Sequence, residues 1–143
     1  MFEYLTLLRI VFSLSFGFIF LYVTQFITKV EKSKCPLSNS LYISNGKLLS
    51  SLMMLFGFIN TFIPINKIIY NIPVIGSSYV LIFVGILFGI LFIIKRIADN
   101  LNEDENKKCK KKEYKYLIDF INNRSINECF IFTIITSIVF FYL

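Results

Sequence analysis

The sequence predicts an all-α membrane protein with about four transmembrane helices and one short amphipathic helix on the membrane surface. Three observations carry this. The stretch Val74 to Ile94, VIGSSYVLIFVGILFGILFII, has neither a charge nor a proline. As a helix it is roughly 30 Å long, the thickness of a bilayer's hydrocarbon core. Second, 56% of the residues are hydrophobic and the mean hydropathy is +0.70, with the apolar residues gathered in blocks. Third, the blocks are continuous rather than alternating, so helices rather than barrel strands satisfy the backbone.

The first block, residues 10–28, follows MFEYLTLLR. A cleaved signal peptide is the competing reading. The block runs about 19 residues against the usual apolar core of about 7–15, and no A-x-A-like site follows, so a retained helix is expected. Ser13 and Gly17 form a small-xxx-small pair that suits close helix approach.

Loop one, residues 29–47, holds the turn formers Pro36, Ser38, Asn39, Asn45 and Gly46. Leu41, Tyr42 and Ile43 are candidates for the interface. Cys35, set between Lys34 and Pro36, is either a free thiol or a juxtamembrane palmitoylation site. The second span, residues 48–65, contains Asn60, Thr61 and Pro64. An amide in hydrocarbon needs a partner on a neighbouring helix, so Asn60 is a candidate helix-packing residue, with a substrate-pathway role as the rival. Pro64 ends or kinks the helix.

The connector NKIIYNIP, residues 66–73, makes an antiparallel hairpin of the second and third spans. The third span, residues 74–94, includes Gly85 and Gly89 in a GxxxG that suits close packing, within the chain or between copies.

Loop three, residues 95–125, is basic. It carries Glu103, Asp104 and Glu105, then Lys107, Lys108, Lys110, Lys111 and Lys112 around Cys109. These lysines are candidate contacts for anionic lipid or a partner, each worth about 1 kcal/mol near an anionic surface; a solvated loop that only sets topology is the rival. Tyr114, Leu117, Ile118 and Ile121 fall at i, i+3, i+4, i+7, which predicts the amphipathic surface helix. The last block, residues 126–143, is about 27 Å long and barely spans, so a re-entrant or surface-lying end competes with a full crossing.

Loops one and three hold 13 of the 15 basic residues, leaving only Arg9 and Lys67 for the other side. The positive-inside rule therefore puts both loops in the cytoplasm and both termini outside. Tyr4, Tyr70, Tyr79 and Tyr142 then fall near the outer ends, where an aromatic belt lies. The sequon Asn123-Arg124-Ser125 is then cytoplasmic, as are Cys35 and Cys109, which a reducing compartment keeps as thiols.

The net charge of +6 does not point to nucleic acid, because the basic residues flank apolar blocks. The chain has no His, no closely spaced cysteine pair and no phosphate-binding glycine motif. No catalytic, cofactor or metal site is expected. The only candidates for ionisable groups within the membrane, Arg9 and Glu128, fall at span ends, which weakens an ion pathway.

Cys35-Pro36-Leu37-Ser38, Asn45-Gly46-Lys47, Asn60 to Pro64 and Pro73 to Tyr79, read in that order, resemble small multi-span membrane proteins of large DNA viruses. The likeness covers about the first two-thirds of the chain and assigns no site residues. It implies residence in a virion's internal membrane or in the host endomembranes that supply it. The leading expectation is a non-enzymatic structural or assembly protein of a membrane, with a capsid or scaffold protein as candidate partner. The alternative is a small channel or transporter subunit, in which a homo-oligomer joined through Gly85 and Gly89 places Asn60 along a pore.

Overall fold

The computed structural model describes residues 2–33, 37, 40–102 and 112–142. Among these residues the chain is helical and has no strand: α1 (Phe2–Lys32), α2 (Leu41–Phe62), α3 (Ile65–Tyr70), α4 (Ile75–Leu101), a 3-10 turn (Lys112–Tyr114), α5 (Lys115–Asn122) and α6 (Ile126–Tyr142). α1, α2 and α4 are each long and apolar enough to cross a membrane. α5 and α6 would add a fourth span only as a pair, and they meet at 101°.

The helices do not start and stop where the hydropathy blocks do. α1 and α4 reach Lys32 and Leu101, past the predicted ends at 28 and 94. Lys95 and Arg96 do not break α4, because Ile97, Ala98 and Leu101 continue the inward-facing row of Ile90 and Ile94. The first seven residues assigned to loop three are therefore helix. α2 likewise begins at Leu41 rather than 48, inside what the sequence reads as loop one. Ser40 caps it, its Oγ accepting from the Tyr42 N–H at 3.1 Å, and Ile43 is buried in the first turn. Its other end comes at Phe62, because Pro64 drives the preceding Ile63 to extended backbone (φ −125°, ψ 125°).

The two tight connections are three-residue turns. Pro64 (φ −75°, ψ 64°) centres an inverse γ-turn, closed by the Ile65 N–H on the Ile63 carbonyl at 2.7 Å. Val74 (φ 72°, ψ −50°) centres its mirror image, closed by the Ile75 N–H on the Pro73 carbonyl at 2.8 Å. The first turn leads from α2 into α3, and the second leads into α4. The connector thus contains a short helix, α3, which packs on α4 and α6.

α1 and α2 form the most extensive helix pair. Their buried positions alternate by three and four: Ser13, Phe16, Phe20, Val23, Ile27 and Val30 on α1, and Gly46, Ser50, Met53, Gly57 and Asn60 on α2. This is the seam of an antiparallel coiled-coil-like hairpin. Small residues meet across much of it, Gly57 against Gly17 and Ser50 against Thr24, so the axes draw close.

The remaining helices gather around Phe140. Its ring is 1% exposed and lies 4.7 Å from Phe12, 4.9 Å from Phe16, 5.2 Å from Phe56 and 5.7 Å from Phe83, centroid to centroid. Four helices, α1, α2, α4 and α6, thus meet at one side chain. α6 runs antiparallel to α4, with Phe130 beside Phe88 near one end and Phe141 beside Tyr79 near the other. It therefore runs beside α4 from Phe88 back to Tyr79.

Candidate functional site

Of the predicted packing residues, Asn60 lies on the α1–α2 seam. It is 1% exposed, and its Nδ2 donates to Ser13 Oγ at 2.8 Å. Further along the same seam Thr24 and Ser50 hydroxyls are 2.8 Å apart. Between the two contacts, a Cβ on Gly57 would come within 2.7 Å of the Gly17 nitrogen and 3.0 Å of the Ser13 carbonyl oxygen. Backbone here packs on backbone. Gly85 is different: a Cβ there would meet nothing within 4 Å, and at Gly89 only Leu49 Cδ1 comes near, at an ordinary 3.7 Å. The structure brings Asn60 to Ser13 but does not bring Gly85 against another helix of the chain. Asn60 also has no outward face from which to line a passage between copies.

Sequence reasoning passed over Gly57, Ser50 and Phe140. The first two were visible as members of the small-residue series Gly46, Ser50, Gly57 at α2's inward spacing. Phe140 carried no signal, being one of 17 phenylalanines. On α6, Thr133 and Ser137 are buried, and each donates back to its own helix, to the Cys129 and Thr133 carbonyls at 2.8 Å. They are satisfied locally and serve as packing groups.

Polar chemistry concentrates at the opposite end of the seam from Asn60. There Lys29 pairs with Glu113, Lys47 with Glu31 at 3.4 Å, Lys95 with Asp99 at 3.1 Å and Arg124 with Glu128 at 3.4 Å. The Lys29–Glu113 pair ties the end of α1 to the 3-10 turn, so loops one and three share one end of the bundle. Next to it, Tyr114 is buried with its ring 5.1 Å from Phe26 and 5.3 Å from Tyr22. An open cleft of about 690 Å³ runs along this corner, lined by Gln25, Thr28, Lys29, Lys32 and Glu113 among others. Lys107, Lys108, Lys110 and Lys111 lie outside the described residues, as do Cys35 and Cys109, and Lys112 opens the 3-10 turn. Cys129, in the first turns of α6, is a half-buried free thiol.

The amphipathic stripe of loop three does form a helix, but not with the predicted exposure. Tyr114 and Ile118 are buried, and Leu117 and Ile121 pack on the same core. The apolar stripe therefore covers the bundle, not the membrane surface. α5 packs on α4, and Lys95 Nζ donates to the Asn122 carbonyl at 2.9 Å, a cation closing the helix's C-terminal end.

Among the described residues no three His, Cys, Asp or Glu side chains gather in a way that would hold a metal ion. The class that fold and surface define is a helical bundle compatible with a multi-pass integral membrane protein. No family model matches the chain, and neither a curated protein nor a solved structure does.

Proposed function

We propose that this chain is a non-enzymatic, multi-pass membrane protein with a structural or assembly role, and that its lysine-bearing end engages anionic lipid or an acidic protein partner. The observation that carries this is how the two kinds of surface divide. Large apolar side chains stand exposed along the helices, among them Phe18, Ile19, Leu55, Leu81, Ile82, Phe132 and Ile135. Such a continuous apolar exterior suits hydrocarbon and not water. The ion pairs Lys29–Glu113, Lys47–Glu31, Lys95–Asp99 and Arg124–Glu128 sit instead at one end. Lys112, the last lysine of the run 107–112, opens the 3-10 turn that Glu113 ties to that end, and the positive-inside rule assigns the end to the cytoplasm. The resemblance to small membrane proteins of large DNA viruses supports a virion or host endomembrane as the location, with a capsid or scaffold protein as partner.

The test is recovery of the intact protein from its native membrane in mild detergent, with and without neutralisation of Lys107 to Lys112 by glutamine. The expected result is a copurifying capsid or scaffold protein, or enrichment of anionic lipid, that the neutralised variant loses. Unchanged lipid and partner recovery would remove the role assigned to the lysines. A discrete homo-oligomer that conducts ions in planar bilayers would replace the structural role altogether.

A further inference from the structure

Given the membrane reading, α5 stands at a definite depth, and its outward face is the informative one. Two independent contacts fix that depth. At its start, the Tyr114 ring lies against Tyr22 and Phe26, the last turns of α1 before Lys29. At its end, the Asn122 carbonyl is held by Lys95, the first charged residue after the uncharged run Val74–Ile94. On α1 and on α4 alike, these are the places where apolar sequence gives way to lysine. Both ends of α5 therefore sit at the boundary between hydrocarbon and headgroups. The 101° angle to α6 makes the same point: with α6 running along α4, α5 runs in the plane of the membrane.

The inward face of α5 is occupied by the bundle. Its outward face presents Tyr116, 88% exposed, and Phe120, 60% exposed, one helical turn apart. The Arg124 guanidinium lies 4.8 Å from the Phe120 ring centroid and pairs with Glu128. Exposed aromatic rings backed by arginine at this depth match the interfacial zone of a bilayer, where rings sit among glycerol esters and guanidinium groups reach the phosphates.

We propose that α5 is an interfacial anchor, and that Tyr116 and Phe120, rather than the stripe Tyr114, Leu117, Ile118 and Ile121, form its lipid-contacting surface. The partner is the headgroup region of the bilayer that the spans cross.

The chain contains no tryptophan, so Phe120→Trp or Tyr116→Trp installs a lone fluorophore. The full-length variants are reconstituted in phosphatidylcholine vesicles that carry bromine either at the headgroup end or at the tail end of the acyl chain. Ile82→Trp, on the outer face of α4 midway along the apolar run, serves as the reference. Headgroup-end bromine is expected to remove more than half of the Phe120→Trp and Tyr116→Trp emission, and tail-end bromine clearly less. Aqueous iodide should have a minor effect. Ile82→Trp should show the reverse order of the two bromine positions.

Strong iodide quenching of both α5 probes, with Ile82→Trp still quenched from the lipid, would overturn the anchor and leave the membrane reading standing. Protection of both α5 probes from lipid bromine and iodide alike would mean that protein covers the face, and would also overturn it. If Ile82→Trp itself escaped lipid bromine, the membrane reading would fall first.

Discussion

Asn60 on α2 donates a hydrogen bond to Ser13 on α1 at 2.8 Å, with both side chains buried. In a bilayer's hydrocarbon core water could not serve as the alternative partner, so the contact would add to the close packing of the α1–α2 seam. Such bonds are worth about 0.6–1.7 kcal/mol in membranes, because the separated helices also find partners. A double-mutant cycle of Ser13→Ala and Asn60→Ala, read by unfolding in mixed micelles, should give a coupling energy in that range. Strictly additive effects would mean that the bond contributes nothing.

Gly57 and Gly85 should respond in opposite ways to the same change. A methyl on Gly57 meets the Gly17 backbone at 2.7 Å, and backbone cannot rotate aside, so Gly57→Ala must force α1 and α2 apart. Overpacking of this kind costs about 1–3 kcal/mol. At Gly85 the methyl meets nothing within 4 Å. Gly85→Ala should therefore be neutral or gain up to about 1 kcal/mol from helix propensity. The measurement is the unfolding midpoint of each variant in the same detergent. It also addresses a copy-to-copy role for Gly85, since the substitution would then weaken a dimer seen by cross-linking while leaving the monomer stable.

Removing the central ring should be the most damaging single truncation in the bundle. Phe140→Ala leaves Phe12, Phe16, Phe56 and Phe83 facing a void at the junction of four helices. Phenylalanine deletions in close-packed cores cost about 3–5 kcal/mol. The expected outcome is a large drop in melting temperature, with the α1–α2 hairpin surviving longest, as followed by site-specific proteolysis. Phe132→Ala, which removes an exposed ring from the same helix, should change little.

Val74 holds a positive φ of 72° with a branched side chain, and it is exposed. Non-glycine residues in such turns carry strain of about 1–3 kcal/mol. Val74→Gly should raise stability by about 1 kcal/mol, whereas Val74→Ala, which keeps its Cβ, should recover only part of that. Equal stability of all three proteins in an unfolding titration would show that the turn is not strained.

How much of this was legible depends on the kind of information each feature needs. The apolar run Val74–Ile94 announces a spanning helix by length alone. Its continuation to Leu101 does not show in hydropathy, because Lys95 and Arg96 interrupt the block while Ile97, Ala98 and Leu101 keep the inward row. Periodicity revealed α5 as amphipathic, but a period of 3.6 cannot say whether an apolar face meets lipid or a neighbouring helix. In a membrane protein both are apolar, which is why the stripe was assigned to the wrong surroundings. Asn60 stood out as an amide in need of a partner, while Ser13 stood out only as a small residue. Their pairing needed the antiparallel register, which no single segment encodes. Gly85 and Gly89 matched a motif, yet Gly17, Gly46 and Gly57 are the glycines with another helix of this chain tight against them, and a motif alone does not distinguish them.

The overshoot of α4 has one more consequence. At 27 residues the helix is about 40 Å long, roughly 10 Å more than the hydrocarbon core. With Val74–Ile94 across the hydrocarbon, its last turns, through Leu101, would run through the headgroup zone, since a bilayer with its headgroups is about 40–45 Å thick. Lys95 and Arg96 would then stand on rigid helix at the depth of the lipid phosphates, where a loop would lose chain entropy to hold them.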